Sequence, residues 1–170
     1  MGCIGALFRV PFGAILGYLV IAALIIAGLA AVVAFAGVAF CFEGDSWVGS
    51  ERFLLATLGV SAVAALLGGF TAMRIGGSLA ILLLCLLVGV LGSLSALGML
   101  GQADEYRLRE RPEERPDDLG PLQAVWWSEN TSAWEWGNVA VCLAGIAIGA
   151  AIGKGAPRES KRARGRNERD

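Results

Sequence analysis

Side chains that commonly carry out catalysis are scarce in this sequence. The chain contains no histidine, which removes the usual general base and the commonest haem and zinc ligand. The cysteines are scattered, without a C-x-x-C pair that would bind a metal or exchange electrons. We therefore expect no catalytic residue, no metal site and no cofactor, and we interpret the thiols as isolated apolar side chains. A disulfide between Cys41 and Cys142 stays open as an alternative; the other two cysteines are Cys3 and Cys85.

Hydroxyl groups also occur inside the apolar stretches of the chain. A transporter could use such groups, together with unwound backbone, to line a solute path. More often a hydroxyl in an apolar helix bonds its own backbone or a neighbouring helix, and we favour that interpretation. The hydroxyls concerned are those of Thr57, Ser61, Ser93 and Ser95.

Tryptophan is concentrated in one part of the chain, where four indoles fall within eleven residues. These are Trp126, Trp127, Trp134 and Trp136. Each indole combines a large apolar surface with one N–H group, so it suits either the surface of a bilayer or a docking site for a protein partner. We predict that residues 120–136 lie against the outer bilayer surface as a short amphipathic segment; if the segment is helical, Trp127 and Trp134 share a face.

Glycine recurs every four residues in the last apolar stretch. The pattern Gly145-x-x-x-Gly149-x-x-x-Gly153 is preceded by Gly137, two turns earlier. A repeat of four keeps residues close to one face of a helix, where the backbone of a neighbouring helix can approach. The sequence therefore predicts a helix-packing contact at Gly137, Gly145, Gly149 and Gly153.

Charge-free stretches define the elements that must position these residues. Hydrophobic residues make up 56% of the chain and charged residues only 17%, against about 25% in a soluble domain. Four stretches of 18 residues or more contain no Asp, Glu, Lys or Arg, and a membrane helix needs about 20 apolar residues. We therefore predict an all-α integral membrane protein, with a four-helix transmembrane bundle in residues 1–153. The predicted spans are about 11–42, 53–73, 75–101 and 136–153.

The first apolar stretch is longer than a single membrane crossing requires. As a helix, residues 11–42 would extend about 48 Å, beyond the roughly 30 Å of a hydrocarbon core. The helix must therefore tilt or project from the core. A cleaved signal peptide is the alternative, because Ala34-Phe35-Ala36 has the small-x-small form of a cleavage site. The apolar region is longer than such peptides have, which favours a retained span.

Positive charges near the ends of the spans indicate the orientation. Arg74 is the only charged residue between the second and third spans, which predicts an antiparallel hairpin with Arg74 in its turn. Arg9, Arg74 and the tail, residues 154–170, place nine positive residues on one side, against five on the other. Positive residues sort to the cytoplasm, so we predict cytoplasmic termini in a bacterial inner membrane or a plasma membrane. The basic tail itself is predicted to be disordered.

These observations leave two hypotheses about function. In the first, the protein is a non-enzymatic accessory or structural subunit that acts through helix packing and its Trp-rich connection. In the second, it is a small oligomeric transporter or channel with a path at the subunit interface. Proton relays and ion paths usually contain charged residues within the membrane, and their absence from the predicted spans favours the first hypothesis. We expect the lipid bilayer, and a protein partner or a second copy of the chain, as partners, and no nucleic acid.

Overall fold

The chain forms a bundle of long helices. The computed structural model describes residues 3–97, 109, 111–116, 119–129 and 131–155, with side chains from Phe8 onward. Every regular element in this part of the chain is a helix, and four of the helices are long and apolar enough to cross a membrane. This confirms the predicted all-α architecture with four long apolar helices. The predicted disorder of the tail concerns residues that, after Gly155, lie outside the described part.

Six helices are present in the described residues, and the four long ones are α1, α3, α4 and α6. The bounds are α1 Cys3–Ala36, α2 Val38–Cys41, α3 Glu51–Gly76, α4 Ser78–Ala96, α5 Pro121–Trp127 and α6 Ser132–Gly155.

Several helix boundaries differ from those predicted, most clearly in α1 and α3. α1 includes Pro11, which we expected to open the first span, and it ends at Ala36, well before residue 42. α3 continues through Arg74, so the hairpin turns at Gly77 and the prediction that Arg74 lies in the turn is wrong. Arg74 can remain in the helix because a positive charge in the last turn is stabilised by the negative end of the helix dipole.

Glycine ends both α1 and α3. Gly37 has φ 84° and ψ 164°, and Gly77 has φ 75° and ψ −163°. This region of backbone conformation is open essentially only to glycine. The N–H of Gly37 donates to the carbonyl of Val33 (2.9 Å), and that of Gly77 donates to the carbonyl of Met73 (3.1 Å). Each break therefore follows a completed helical turn, and the chain reverses directly after it at Gly77.

α3 occupies the middle of the bundle. Its most extensive contact is with α6 and its next most extensive is with α1, while α4 packs against both α6 and α1. Within the described residues, α1 and α6 make no contact with each other. The order around the bundle is therefore α1, α3, α6, α4, which separates the first long helix from the last.

Buried side chains form two separate cores. In the bundle core, five of the nine buried residues are alanine, which lets the helices approach closely. The second core lies at one end of the bundle, beneath the connections between helices. We call this end the cap and define it by residues 37–50, 111–116 and 119–129; the opposite end, which carries the turn at Gly77, is the hairpin end. The buried residues of the cap core are Leu29, Val33, Cys41, Phe42, Trp47, Phe53, Leu119 and Ala124.

Candidate functional site

The closest helix contact in the bundle joins α3 to the glycines of α6. A Cβ atom added at Gly149 would lie 2.0 Å from the carbonyl oxygen of Leu66, and one added at Gly145 would lie 2.8 Å from the Cβ atom of Ala65. Real Cβ atoms essentially never approach another atom closer than 3.0 Å. The two backbones can therefore take this separation only if both positions on α6 lack a side chain.

The same contact continues to the hairpin end and shows the relative direction of the two helices. A Cβ atom added at Gly153 would lie 3.2 Å from the carbonyl oxygen of Phe70. The facing positions increase together along both chains, from Ala65 opposite Gly145 to Phe70 opposite Gly153. α3 and α6 are thus parallel neighbours, although they are separated in the chain by α4 and the cap.

Gly137, the fourth residue of the predicted packing contact, does not line it. A Cβ atom added at Gly137 would meet no atom within 4 Å. At 3.6 residues per turn, a repeat of four drifts by about 40° at each step, so Gly137 lies about 80° around the helix from Gly145 and about 160° from Gly153. The close contact therefore includes only the part of α6 from Gly145 onward.

α3 contributes glycines of its own to two different neighbours. Gly69 faces α6, where an added Cβ atom would lie 2.4 Å from the carbonyl oxygen of Ile146. Gly68 faces α1, where an added Cβ atom would lie 2.7 Å from the carbonyl oxygen of Gly17. Neither Gly68 nor Gly69 is among the helix-packing residues predicted from the sequence. The four-residue spacing of Gly13 and Gly17 was the available signal for the α1 contact.

Replacing Gly149 with Ala is expected to destabilise the protein, because the new methyl group would overlap the Leu66 carbonyl and force α3 and α6 apart. Overpacking of this kind typically costs about 1–3 kcal/mol. Thermal unfolding in detergent would show the loss as a lower midpoint, and Gly149→Leu should lower it further. Ile148→Leu is the matched control, since the Ile148 side chain is 54% exposed on another face. Equal midpoints for Gly149→Ala and Ile148→Leu would contradict the contact.

The four clustered tryptophans occupy different environments. Trp127 packs edge-on against Trp47, with ring centroids 5.7 Å apart. Trp126, next to it, is 59% exposed, and Trp136 is 44% exposed. Trp134 is half-buried near the start of α6. Trp127 is therefore the member of the cluster that packs on the cap core, and the cluster does not form one continuous aromatic surface.

Residues 120–136 do not form a single amphipathic segment. α5 ends at Trp127, and α6 begins only at Ser132. The prediction that Trp127 and Trp134 share a helix face is therefore wrong. Ser128 has an extended backbone, and Glu129 pairs with Val48 of another connection instead of continuing the helix.

Backbone hydrogen bonds join the two cap connections at this break. The N–H of Glu129 donates to the carbonyl of Trp47 (2.8 Å), and the N–H of Gly49 donates to the carbonyl of Glu129 (3.0 Å). These bonds link residues about eighty positions apart in the chain. They hold Trp47 in place beneath α5.

Two arginines of residues 111–116 pack on aromatic rings of the cap core. The guanidinium of Arg111 lies over the ring of Trp47, 5.3 Å from its centroid, and also pairs with the carboxylate of Glu129. The guanidinium of Arg115 lies over the ring of Phe42, 5.0 Å from its centroid. Cation–π contacts of this kind contribute about 0.5–2 kcal/mol each. Trp47, a lone tryptophan in a short polar connection, is not among the site residues predicted from the sequence.

The hydroxyls considered as solute ligands are not gathered at one place. Thr57 donates to the carbonyl of Phe53 on its own helix, with an O···O distance of 2.9 Å. Ser61 is fully buried in α3, and its Oγ atom has no hydrogen-bond partner among the described residues. Ser93 lines a groove between α4 and α6, and Ser95 is exposed.

Cys41, Cys85 and Cys142 are free thiols. Cys41 is buried in the cap core and Cys142 in the bundle core, so the disulfide considered between them is not formed. Burial raises the pKa of the Cys41 thiol to about 11, and the positive charge of Arg115 opposes that rise. Cys41 is therefore protonated at neutral pH and is a poor nucleophile.

Two open grooves run along the outside of the bundle. The larger, of about 600 Å³, lies between α4 and α6 and is lined, apart from Ser93, mainly by apolar side chains, among them Leu86, Val139 and Trp136. The smaller, of about 520 Å³, lies between α1 and α3. Within the described residues, no three His, Cys, Asp or Glu side chains are placed to hold a metal ion.

Comparison with known proteins gives no further guide to function. No protein-family model matches the chain, and neither does any curated protein or solved structure. The proposals below therefore rest on geometry, exposure and charge.

Proposed function

We propose that the protein is a multi-pass integral membrane protein whose four long helices cross the bilayer. Support comes from the outer surface of the bundle, where large apolar side chains are exposed on every long helix. Soluble monomers rarely expose apolar patches larger than a few hundred square ångströms, whereas lipid chains solvate such a surface. Representative residues, one from each helix, are Leu19, Leu55, Leu82 and Ile148.

The distribution of charge supports an orientation with both termini in the cytoplasm. Arg9, Arg74 and Lys154 lie at the hairpin end, and Lys154 is followed in the chain by six more basic residues of the tail, which makes nine positive residues. The cap end has fewer, among them Arg52, Arg111 and Arg115, and it also carries the acidic side chains of the described residues. Positively charged residues next to membrane spans are retained on the cytoplasmic side. The hairpin end therefore faces the cytoplasm, and the cap faces the opposite side.

A reporter that is active only in the cytoplasm should be active when it is fused after Asp170. The same reporter inserted in the exposed turn between Gly44 and Asp45 should be inactive, because that turn belongs to the cap. A reporter that requires the opposite compartment should give the reverse pattern. If the same reporter is active at both positions, the two positions lie on the same side of the membrane. The number of crossings between them is then even, whereas the four-span topology requires an odd number.

We further propose that the protein is a non-enzymatic accessory subunit that binds its partner through α5. The observation that carries this proposal is the pair Leu122 and Trp126, which lie four residues apart on one face of α5 and are 61% and 59% exposed. Ala124, on the other face, is fully buried in the cap core. An exposed tryptophan on a helix that is anchored from behind resembles the anchors that dominate protein interfaces.

The alternative of a transporter or channel has less support among the described residues, where few polar groups line the open grooves. An ion path needs carbonyls or charged side chains that replace water around the ion. The groove between α4 and α6 is lined mainly by apolar side chains, with Ser93 among its lining residues. The accessory role therefore fits the described residues better.

Purification of the tagged full chain from its native membrane in mild detergent should recover an unrelated protein in a fixed ratio. Trp126→Ala should reduce that recovery at least tenfold, because truncating an interface anchor typically costs about 2 kcal/mol or more. Leu19→Ala is the matched control, since Leu19 is similarly exposed but lies on α1, away from the cap. A lone homodimer that is unaffected by Trp126→Ala would favour the transporter hypothesis instead.

A further inference from the structure

The hairpin end carries positive side chains from three different helices. Arg9 belongs to α1, Arg74 to the last turn of α3 and Lys154 to the last turn of α6. No acidic side chain lies at this end among the described residues. The acidic side chains that the structure describes are all at the cap end: Glu43, Asp45, Glu51, Glu113, Glu114, Glu129 and Glu135.

Close packing holds Arg9 at the end of α3. Its Nε–H group donates to the carbonyl of Ile75. The backbones of α1 and α3 also meet here, since a Cβ atom added at Gly76 would lie 3.0 Å from the carbonyl oxygen of Arg9. The Arg9 side chain is thus held across the α1–α3 contact, and it is exposed to the surroundings.

The other two cations lie beside the α3–α6 contact. The guanidinium of Arg74 lies over the ring of Phe70, 5.6 Å from its centroid. The carbonyl oxygen of Phe70 also faces Gly153, the residue before Lys154. Both Arg74 and Lys154 are exposed. The three cations therefore border the same end of the bundle, with the end of α3 between Arg9 on one side and Lys154 on the other.

We propose that the hairpin end binds the phosphate of an anionic phospholipid headgroup. Arginine forms paired hydrogen bonds with phosphate oxygens, and each basic residue near a membrane surface adds to the attraction for anionic lipid. Exposed apolar side chains adjoin the cations, with Phe12 one turn beyond Phe8 on α1 and Ile152 beside Gly153 on α6. These side chains offer acyl chains a surface that a free phosphate ion could not use.

Lipid binding at the hairpin end rests on the proposed membrane location. It additionally requires a preference for anionic over zwitterionic lipids. Cations in the last turn of a helix also stabilise its C-terminal carbonyls without any ligand. That simpler role would give no preference between anionic and zwitterionic lipids. The two roles can therefore be separated by measuring lipid binding together with thermal stability.

Native mass spectrometry of the full chain in detergent can count bound phosphatidylglycerol and phosphatidylcholine added at equal concentrations. The wild type should bind phosphatidylglycerol preferentially. Each substitution among Arg9→Gln, Arg74→Gln and Lys154→Gln should weaken that binding about fivefold, which corresponds to about 1 kcal/mol per basic residue near the surface. Phosphatidylcholine binding should not change. Arg52→Gln, at the cap end, should leave both unchanged.

Further variants distinguish the loss of charge from a loss of fold. A soluble anion distinguishes lipid binding from the binding of soluble phosphate. The double variant Arg9→Lys, Arg74→Lys keeps both charges and should keep the preference. Glycerol phosphate, added in excess, should not displace the lipid; displacement would identify a site for soluble phosphate and overturn the lipid assignment. An unchanged preference after all three Gln substitutions, or an equal loss in Arg52→Gln, would also overturn it. Resistance of the wild type to extraction by alkaline carbonate tests the membrane location separately.

Discussion

The approach of α3 to α6 at Leu66 and Gly149 is the constraint on which the rest of the bundle depends. No side chain separates the two backbones there, so the helices are held by dispersion forces over many short contacts. Lipid chains are as apolar as the side chains of a bundle, so burial of apolar area drives helix association only weakly in a membrane. In the proposed membrane location, close packing must therefore supply most of the stabilisation, and it requires glycine or alanine at the contacts. The alanine-rich bundle core meets the same requirement.

The central position of α3 follows from this constraint. Gly68 and Gly69 are consecutive, so they point in different directions and let α1 and α6 approach α3 from two sides. Because α3 separates these two neighbours, α1 and α6 do not meet in the described residues. α4 then closes the bundle, with Gly92 against Val139 of α6. The same arrangement leaves the ends of α1, α3 and α6 side by side at the hairpin end, where the three cations gather.

The sequence predicted the long helices because charge-free stretches of sufficient length are a local property. The spacing of Gly145, Gly149 and Gly153 also singled out residues that the structure places against α3, whereas Gly137 lies off that face because the helical repeat is 3.6 and not 4. The cap could not be predicted in the same way. Its contacts join Trp47 to Arg111 and to Glu129, residues far apart in the chain, and the extended backbone at Glu129 interrupts what composition alone suggested was one amphipathic segment.

Disulfide cross-linking between α3 and α6 tests this account most directly. A Cβ atom added at Gly153 would lie 3.2 Å from the Cβ atom of Met73, close to the roughly 3.5–4.5 Å of a disulfide. With the native cysteines replaced by alanine, the pair Met73→Cys and Gly153→Cys should cross-link within one chain on mild oxidation. The pair Phe12→Cys and Gly153→Cys, on helices that do not touch, should not. Failure of the first pair, or equal cross-linking of both, would contradict a bundle built on the parallel contact of α3 with α6.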